Sequence, residues 1–201
     1  MKTLEDLLKR KFPDSNFHIY SKFLYKAAEF GYVTYDELAR ENSEDIDDFL
    51  LSMYEARILL PVRISESVRS VSWDARQLIL KKRERFEMPL ITRYLVKDII
   101  KSEKWSVNRS LRQCLLDQGI QNLECYIRAI DEVLDWALRN EYMIDAESIS
   151  GIAMKYRIEP NEFIAVLKNT GVISPCSRRF ISNKKIHYEV NPVLYWSRKI
   201  M

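Results

Sequence analysis

Only 4 Gly and 6 Pro stand among 201 residues, and this scarcity limits the fold more than any motif in the chain. Gly and Pro punctuate turns and interrupt helix interiors. A chain poor in both has few tight turns and long stretches free to be helical, which argues against sandwich and barrel folds. Apolar mass is ample, with 4 Trp, 11 Tyr and 8 Phe. Domains usually run to about 100–150 residues, and two small units fit this length best.

The first eleven residues are charged and amphipathic and lack the apolar stretch of a signal peptide. No run approaches the roughly 20 apolar residues a membrane helix needs. A cytoplasmic protein with no membrane partner is the expectation. Cys114, Cys125 and Cys176 are odd in number and show no Cys-x-x-Cys spacing; neither a disulfide framework nor a zinc site is suggested, and they read as reduced, mostly buried thiols. His18 and His187 lie far apart and read as ordinary surface or packing residues.

Apolar residues recur at helical spacing over residues 19–30 (Phe23, Leu24, Ala27, Phe30) and stop at Gly31, a residue suited to a helix C-cap. Thr34-Tyr35-Asp36-Glu37 follows the capping-box pattern and opens a second helix over 34–41. Ser43 can cap a third, whose buried face would be Ile46, Leu50 and Met53; the chain then turns extended at 59–62. The same order returns later. Leu123, Ile127, Ile130, Leu134 and Leu138 line one face of a long helix whose other face alternates acids and bases. A short helix over 146–156 follows, then one over 160–170 with Pro160 in its first turn and Gly171 at its exit. Strands over 172–174 and 185–190 flank a basic loop, the second alternating Ile186, Tyr188 and Val190 with polar residues. Between the two sets, residues 74–119 read as helices broken at Met88-Pro89 and near Ser106, with no low-complexity linker.

Three helices with a short middle one and then a small hairpin resemble the winged-helix superfamily. The resemblance covers residues 19–73 and 122–196. It is carried by Tyr35-Asp36-Glu37-Leu38-Ala39, by Ile152-Ala153-Met154-Lys155-Tyr156-Arg157-Ile158 and by Leu167-Lys168-Asn169-Thr170-Gly171-Val172-Ile173. The expected fold is mainly α: a winged-helix-like module over 1–73, a helical connecting segment over 74–121 and a winged-helix module over 122–201, each module being three helices plus a small β-hairpin. The first wing would lie in 63–73. The resemblance implies that a third helix enters the DNA major groove while the wing touches the flanking backbone or the minor groove.

Charge is unevenly spread. Residues 1–60 carry 8 bases and 12 acids, residues 61–120 carry 13 and 7, and residues 121–201 carry 11 and 10. Basic clusters are the footprint of a polyanion binder. On the second module's third helix the outward positions are Asn161, Glu162, Ala165, Lys168 and Asn169; with no arginine to grip guanine, base reading would rest on a thin set. Its wing gathers Arg178, Arg179, Asn183, Lys184 and Lys185, which could reach phosphates or a narrow minor groove or form an ordinary solvated hairpin tip. Arg93, Lys97, Lys101 and Lys104, at spacings of four, four and three, would form a basic stripe opposite Ile91, Leu95 and Ile99, preceded by Lys81, Lys82, Arg83 and Arg85. Such a stripe could follow a phosphate backbone, be simply solvated, or dock on the acids of the first module. Those acids, Glu44, Asp45, Asp47 and Asp48 at the start of the first module's third helix, complement the helix N-terminus and would repel phosphate, so that module should contact protein, pack internally or support a homodimer.

No phosphate-cradling glycine loop, nucleophile elbow or His-Glu-x-x-His is present. No catalytic residue, metal or cofactor is expected; Asp131, Glu132 and Asp135 read as part of an ion-pair ladder. The sequence therefore points first to a double-stranded-DNA-binding protein, a transcription regulator or accessory factor, and second to a protein-interaction module within a larger assembly.

Overall fold

A computed structural model of the chain describes residues 2–13, 16–41, 46–62, 72–176 and 185–196. The fold is mostly helical with two small antiparallel sheets. Helix α1 (Lys2–Lys11) buries Leu4, Leu7 and Leu8 against α2 (Phe17–Phe30) and α5 (Leu90–Ser102). Then come β1 (Tyr32–Thr34), α3 (Tyr35–Glu41), α4 (Ile46–Glu55), β2 (Leu60–Pro61) and β3 (Arg85–Glu87), whose strands pair in the order β1-β3-β2. After α5 and α6 (Val107–Asp117), the order recurs as α7 (Leu123–Leu138), β4 (Met143–Asp145), α8 (Ala146–Lys155), α9 (Pro160–Thr170), β5 (Ile173–Pro175) and β6 (His187–Val190), paired β4-β6-β5.

The repeat extends to single hydrogen bonds. Val33 faces Phe86 as Ile144 faces Tyr188. Tyr35 N–H donates to the Glu84 carbonyl (2.9 Å) as Ala146 does to Ile186 (3.0 Å), and Met88 donates to Gly31 (2.9 Å) as Val190 does to Tyr142 (2.8 Å). Each third helix ends on a left-handed residue, Arg57 at φ 56° and Gly171 at φ 73°. The next residue, Ile58 or Val172, then donates back to Met53 or Leu167.

Local chemistry places most of these ends. The Thr34 hydroxyl accepts from Glu37 N–H (3.3 Å) while the Glu37 carboxylate accepts from Thr34 N–H (2.9 Å), closing the capping box. Ser106 caps α6 by accepting from Arg109 N–H, and Asp145 caps α8 by accepting from Ser148 N–H. Gly31 and Gly171 end α2 and α9 in the left-handed region. Ser43, the expected cap of α4, lies outside the described residues, as does most of the expected first wing.

Several sequence expectations need correction. Residues 78–87 are not helical, because Arg85–Glu87 is the central strand of the first sheet with Phe86 buried; the pairing of β3 between β1 and β2 overrides local preference, and the first set of elements closes at residue 87 rather than 73. After a 3-10 turn at Trp73–Ala75, α-helices in the connecting segment therefore begin only at Leu90. Phe30 is 68% exposed, because the α2 stripe Tyr20, Phe23, Leu24, Ala27 and Ala28 runs on to position 31 and leaves Phe30 to one side. Leu138 and Ile186 are exposed as well: Ala137 takes the last core position of α7, and Ile186 precedes the first residue of β6.

One continuous core runs through both sets of elements, and a polar seam joins them. Asn191, fully buried, points its amide nitrogen at the carbonyls of Gly171 (3.3 Å) and Arg57 (3.5 Å) and at the Thr92 hydroxyl (3.4 Å). Its oxygen accepts from Val193 N–H (3.1 Å) and its own N–H donates to Val172 (2.9 Å). Arg57 pairs with Glu189 at 2.9 Å, and Trp73 N–H donates to the Ser174 hydroxyl at 3.0 Å. A Cβ on Gly171 would lie 2.7 Å from the Pro89 Cβ.

Replacing Asn191 with Ala strands buried acceptors at this seam and should lower stability by about 1–3 kcal/mol in urea unfolding. Gly171→Ala should cost distinctly more than Gly119→Ala. Both glycines have positive φ, but nothing lies within 4 Å of a Cβ at Gly119, so the second change carries only a left-handed backbone cost of about 1–2 kcal/mol.

Candidate functional site

The residues expected to bind nucleic acid are divided by the structure among separate roles. Ile91, Leu95 and Ile99 bury one side of α5 as expected, but the opposite side is not a free basic stripe. Arg93 turns to the C-terminus of α2, donating from Nε to the Ala28 carbonyl (3.2 Å) and from Nη2 to the Glu29 carbonyl (3.4 Å). A cation there satisfies orphan carbonyls and complements the helix dipole. Its Nη1 would stand 3.0 Å from a Cβ at Gly31, a second reason for glycine at that cap. Lys97 leans toward Glu29 at 3.9 Å. Helix α5 ends at Ser102, with Glu103 left-handed at φ 56°, so Lys104 lies beyond the helix rather than on its stripe. Arg93 and Lys97 thus face α2, while Lys101 is exposed. Of the preceding bases, Lys81 pairs with Glu84, and Arg85 stacks its guanidinium 3.8 Å from the Tyr32 ring centroid.

The second candidate surface is reshaped in the same way. Lys185 donates to Glu147 at 3.2 Å, pinning the root of the loop before β6 to the start of α8. Arg83 takes the equivalent place in the first half, its N–H donating to Asp36 at 3.2 Å. Arg178, Arg179, Asn183 and Lys184 lie outside the described residues. On α9, Asn161, Lys168 and Asn169 are exposed as expected. The helix start, however, is occupied by Glu159, whose carboxylate accepts from the N–H groups of Asn161 (3.1 Å) and Glu162 (2.5 Å), holding its pKa below the usual range. Glu162 in turn accepts from the Tyr126 hydroxyl at 2.6 Å. Two carboxylates at this end meet an approaching phosphate with like charge.

The acidic surface on α4 keeps its expected position. Asp47, Asp48, Leu51 and Glu55 are exposed, with Leu51 at 44%, and they share one side of the helix at helical spacing. The Tyr35 hydroxyl donates to Asp47 at 3.0 Å; the hydrogen bond, then burial, then the Asp47 charge hold the phenol above its ordinary pKa. Glu44 and Asp45 lie outside the described residues.

Sequence reading missed a groove between α5 and α6. Arg93, Tyr94, Lys97, Lys101, Arg109 and Gln113 line it with Asp98, Asp117 and Ser110, around about 600 Å³. Arg109 grips Asp98 with two bonds of 2.6 and 2.8 Å. Tyr94 donates to Asp117, and burial followed by that bond pushes its hydroxyl up to about 12. The spacing of Lys97 and Lys101 was legible; that α6 folds back and adds Arg109 was not.

Among the described residues no group of three or more His, Cys, Asp or Glu is placed to hold a metal ion. Glu132 is engaged by Lys155 (2.7 Å) and the Tyr156 hydroxyl (2.9 Å), both from the α8 end. His18 meets Glu5 at 2.8 Å. Cys114 and Cys176 are buried and Cys125 is exposed; burial pushes the Cys114 thiol up to about 12. No described helix is long and apolar enough to cross a membrane. A protein-family model matches residues 2–198, while no curated protein and no solved structure matches the chain.

The split between structural and free cations has a direct check. Arg93→Ala should lower stability by about 1–2 kcal/mol through loss of charged hydrogen bonds at the α2 terminus, whereas Lys101→Ala should stay within about 0.5 kcal/mol in the same denaturant titration.

Proposed function

We propose that this chain, which belongs to the family whose model matches residues 2–198, is a tandem winged-helix docking protein that binds a basic segment of a protein partner on the outer side of α4. Support for the winged-helix reading comes from the repeated order helix–strand–helix–helix–strand–strand, with the third strand central in each sheet. In that architecture the third helix is the presenting surface, and here its outer side is Asp47, Asp48, Leu51 and Glu55. This single observation carries the reading: an acidic side with an exposed leucine at its centre repels phosphate and suits lysines or arginines flanking an apolar contact. The use of Arg93 and Lys185 within the molecule removes cations that a duplex would have needed. No catalytic role is proposed for any residue.

A second reading, duplex DNA held through its backbone, is favoured by the outward Lys168 and Asn169 on α9 and by the bases of 178–184 in the sequence.

One pair of measurements separates the two. A partner captured from the native host should be retained by wild type and lost when Asp48→Lys and Leu51→Glu are combined, while fluorescence anisotropy with a random-sequence duplex should show weak binding unaffected by that pair. Tight, salt-dependent duplex binding that Arg178→Glu plus Arg179→Glu abolishes would replace docking with the DNA reading.

A further inference from the structure

The groove between α5 and α6 takes no part in the docking surface, and three independent features mark it. Its lining is cationic on balance. Arg93, Lys97, Lys101 and Arg109 stand against Asp98 and Asp117, and both acids are already engaged, Asp98 by Arg109 and Asp117 by Tyr94 and by Gln113 Nε2 at 2.9 Å. Lys101 is exposed and makes no ion pair with the described residues. Arg109 uses Nε and Nη2 within the protein, which leaves Nη1 unengaged among the described residues.

The second feature is a buried hydroxyl. Ser110 is 1% exposed and lines the groove, yet among the described residues its Oγ has no hydrogen-bond partner. Other helical hydroxyls avoid that cost by bonding back one turn: Ser102 to Asp98 O (2.8 Å), Ser150 to Ala146 O (2.8 Å) and Thr170 to Val166 O (2.7 Å). A buried hydroxyl left without a partner is unfavourable, and Ser110 stands in the lining of a cationic groove. The third feature is size. About 600 Å³ falls within the roughly 300–1,000 Å³ of small-molecule sites, more than a bare phosphate fills.

We propose that the α5–α6 groove binds a small phosphorylated molecule of nucleotide size, its phosphate oxygens held by Lys97, Lys101 and the Nη1 of Arg109 and accepting a hydrogen bond from the Ser110 hydroxyl. The Arg109–Asp98 pair fixes the guanidinium plane, so that Nη1 offers a phosphate oxygen one oriented donor. This assignment stands whether or not α4 docks a partner.

Isothermal titration of the full chain with inorganic pyrophosphate and with ATP, at low ionic strength where exposed charges are least screened, tests it. Saturable binding of at least one probe is expected. Ser110→Ala should weaken it roughly tenfold, the loss of one hydrogen bond to a charged oxygen, while leaving the thermal midpoint at or above that of wild type. Lys101→Glu should weaken binding further, and Lys155→Glu, away from the groove, should leave it unchanged. Absence of saturable binding with both probes would overturn the proposal, as would affinities indifferent to Ser110→Ala. A short duplex that binds through Lys101 while neither small probe does would instead make the groove a track for a nucleic-acid backbone and would equally overturn it.

Discussion

The two repeated sets of elements are held in one arrangement by a seam at four positions, two buried and two half-buried, and those positions come in equivalent pairs. Arg57 and Gly171 both end a third helix in the left-handed region; Pro89 and Asn191 both follow the residue that closes the central strand. Across the seam Gly171 packs on Pro89 while the Arg57 carbonyl accepts from Asn191. The pairs have diverged in chemistry. One contact is steric, and only a residue without a Cβ fits it. The other is polar, and an asparagine resolves it by satisfying several segments at once. The Arg57 side chain, which has room that Gly171 lacks, reaches Glu189 in the other half. Partly buried ion pairs of this kind add little net stability against apolar packing, but they penalise any displacement of one half against the other.

How much was legible in the sequence follows from the range of the interactions involved. Features set within one turn of chain were readable: the Thr34–Glu37 capping box, the Ser106 cap, the exits at Gly31 and Gly171 and the bounds of α9 from Pro160 to Thr170 all occur where their residues place them. Strand β3 was not readable, because Arg85-Phe86-Glu87 becomes a strand only when β1 and β2 arrive on either side, and the apolar, basic run before it suits a helix equally well. The amphipathic stripes were placed to within one residue, which suffices for the core yet misassigns the last apolar residue of a helix, as at Phe30 and Leu138.

The candidate sites were legible as composition and illegible as use. A row of bases at helical spacing marks one side of α5, but spacing cannot say that the first of them ends another helix. Arg93 is far from Ala28 in sequence, and no local pattern announces that contact. The same holds for Lys185, whose partner Glu147 belongs to the opening turn of α8. Ser110 carried no signal at all, since an isolated serine on a helix bonds its own backbone in the ordinary case. Only the packing of α6 on α5 exposes the exception.

A seam of glycine against proline leaves no slack. Units on flexible tethers adapt their separation to a target at an entropic cost that grows with tether length, whereas here the distance between α4 and α9 is set by covalent geometry and a shared core. Any target that touches both halves is therefore measured against a fixed span, as with a caliper. One whose two contact points are a turn too close or too far apart meets a single half and loses the gain of simultaneous engagement.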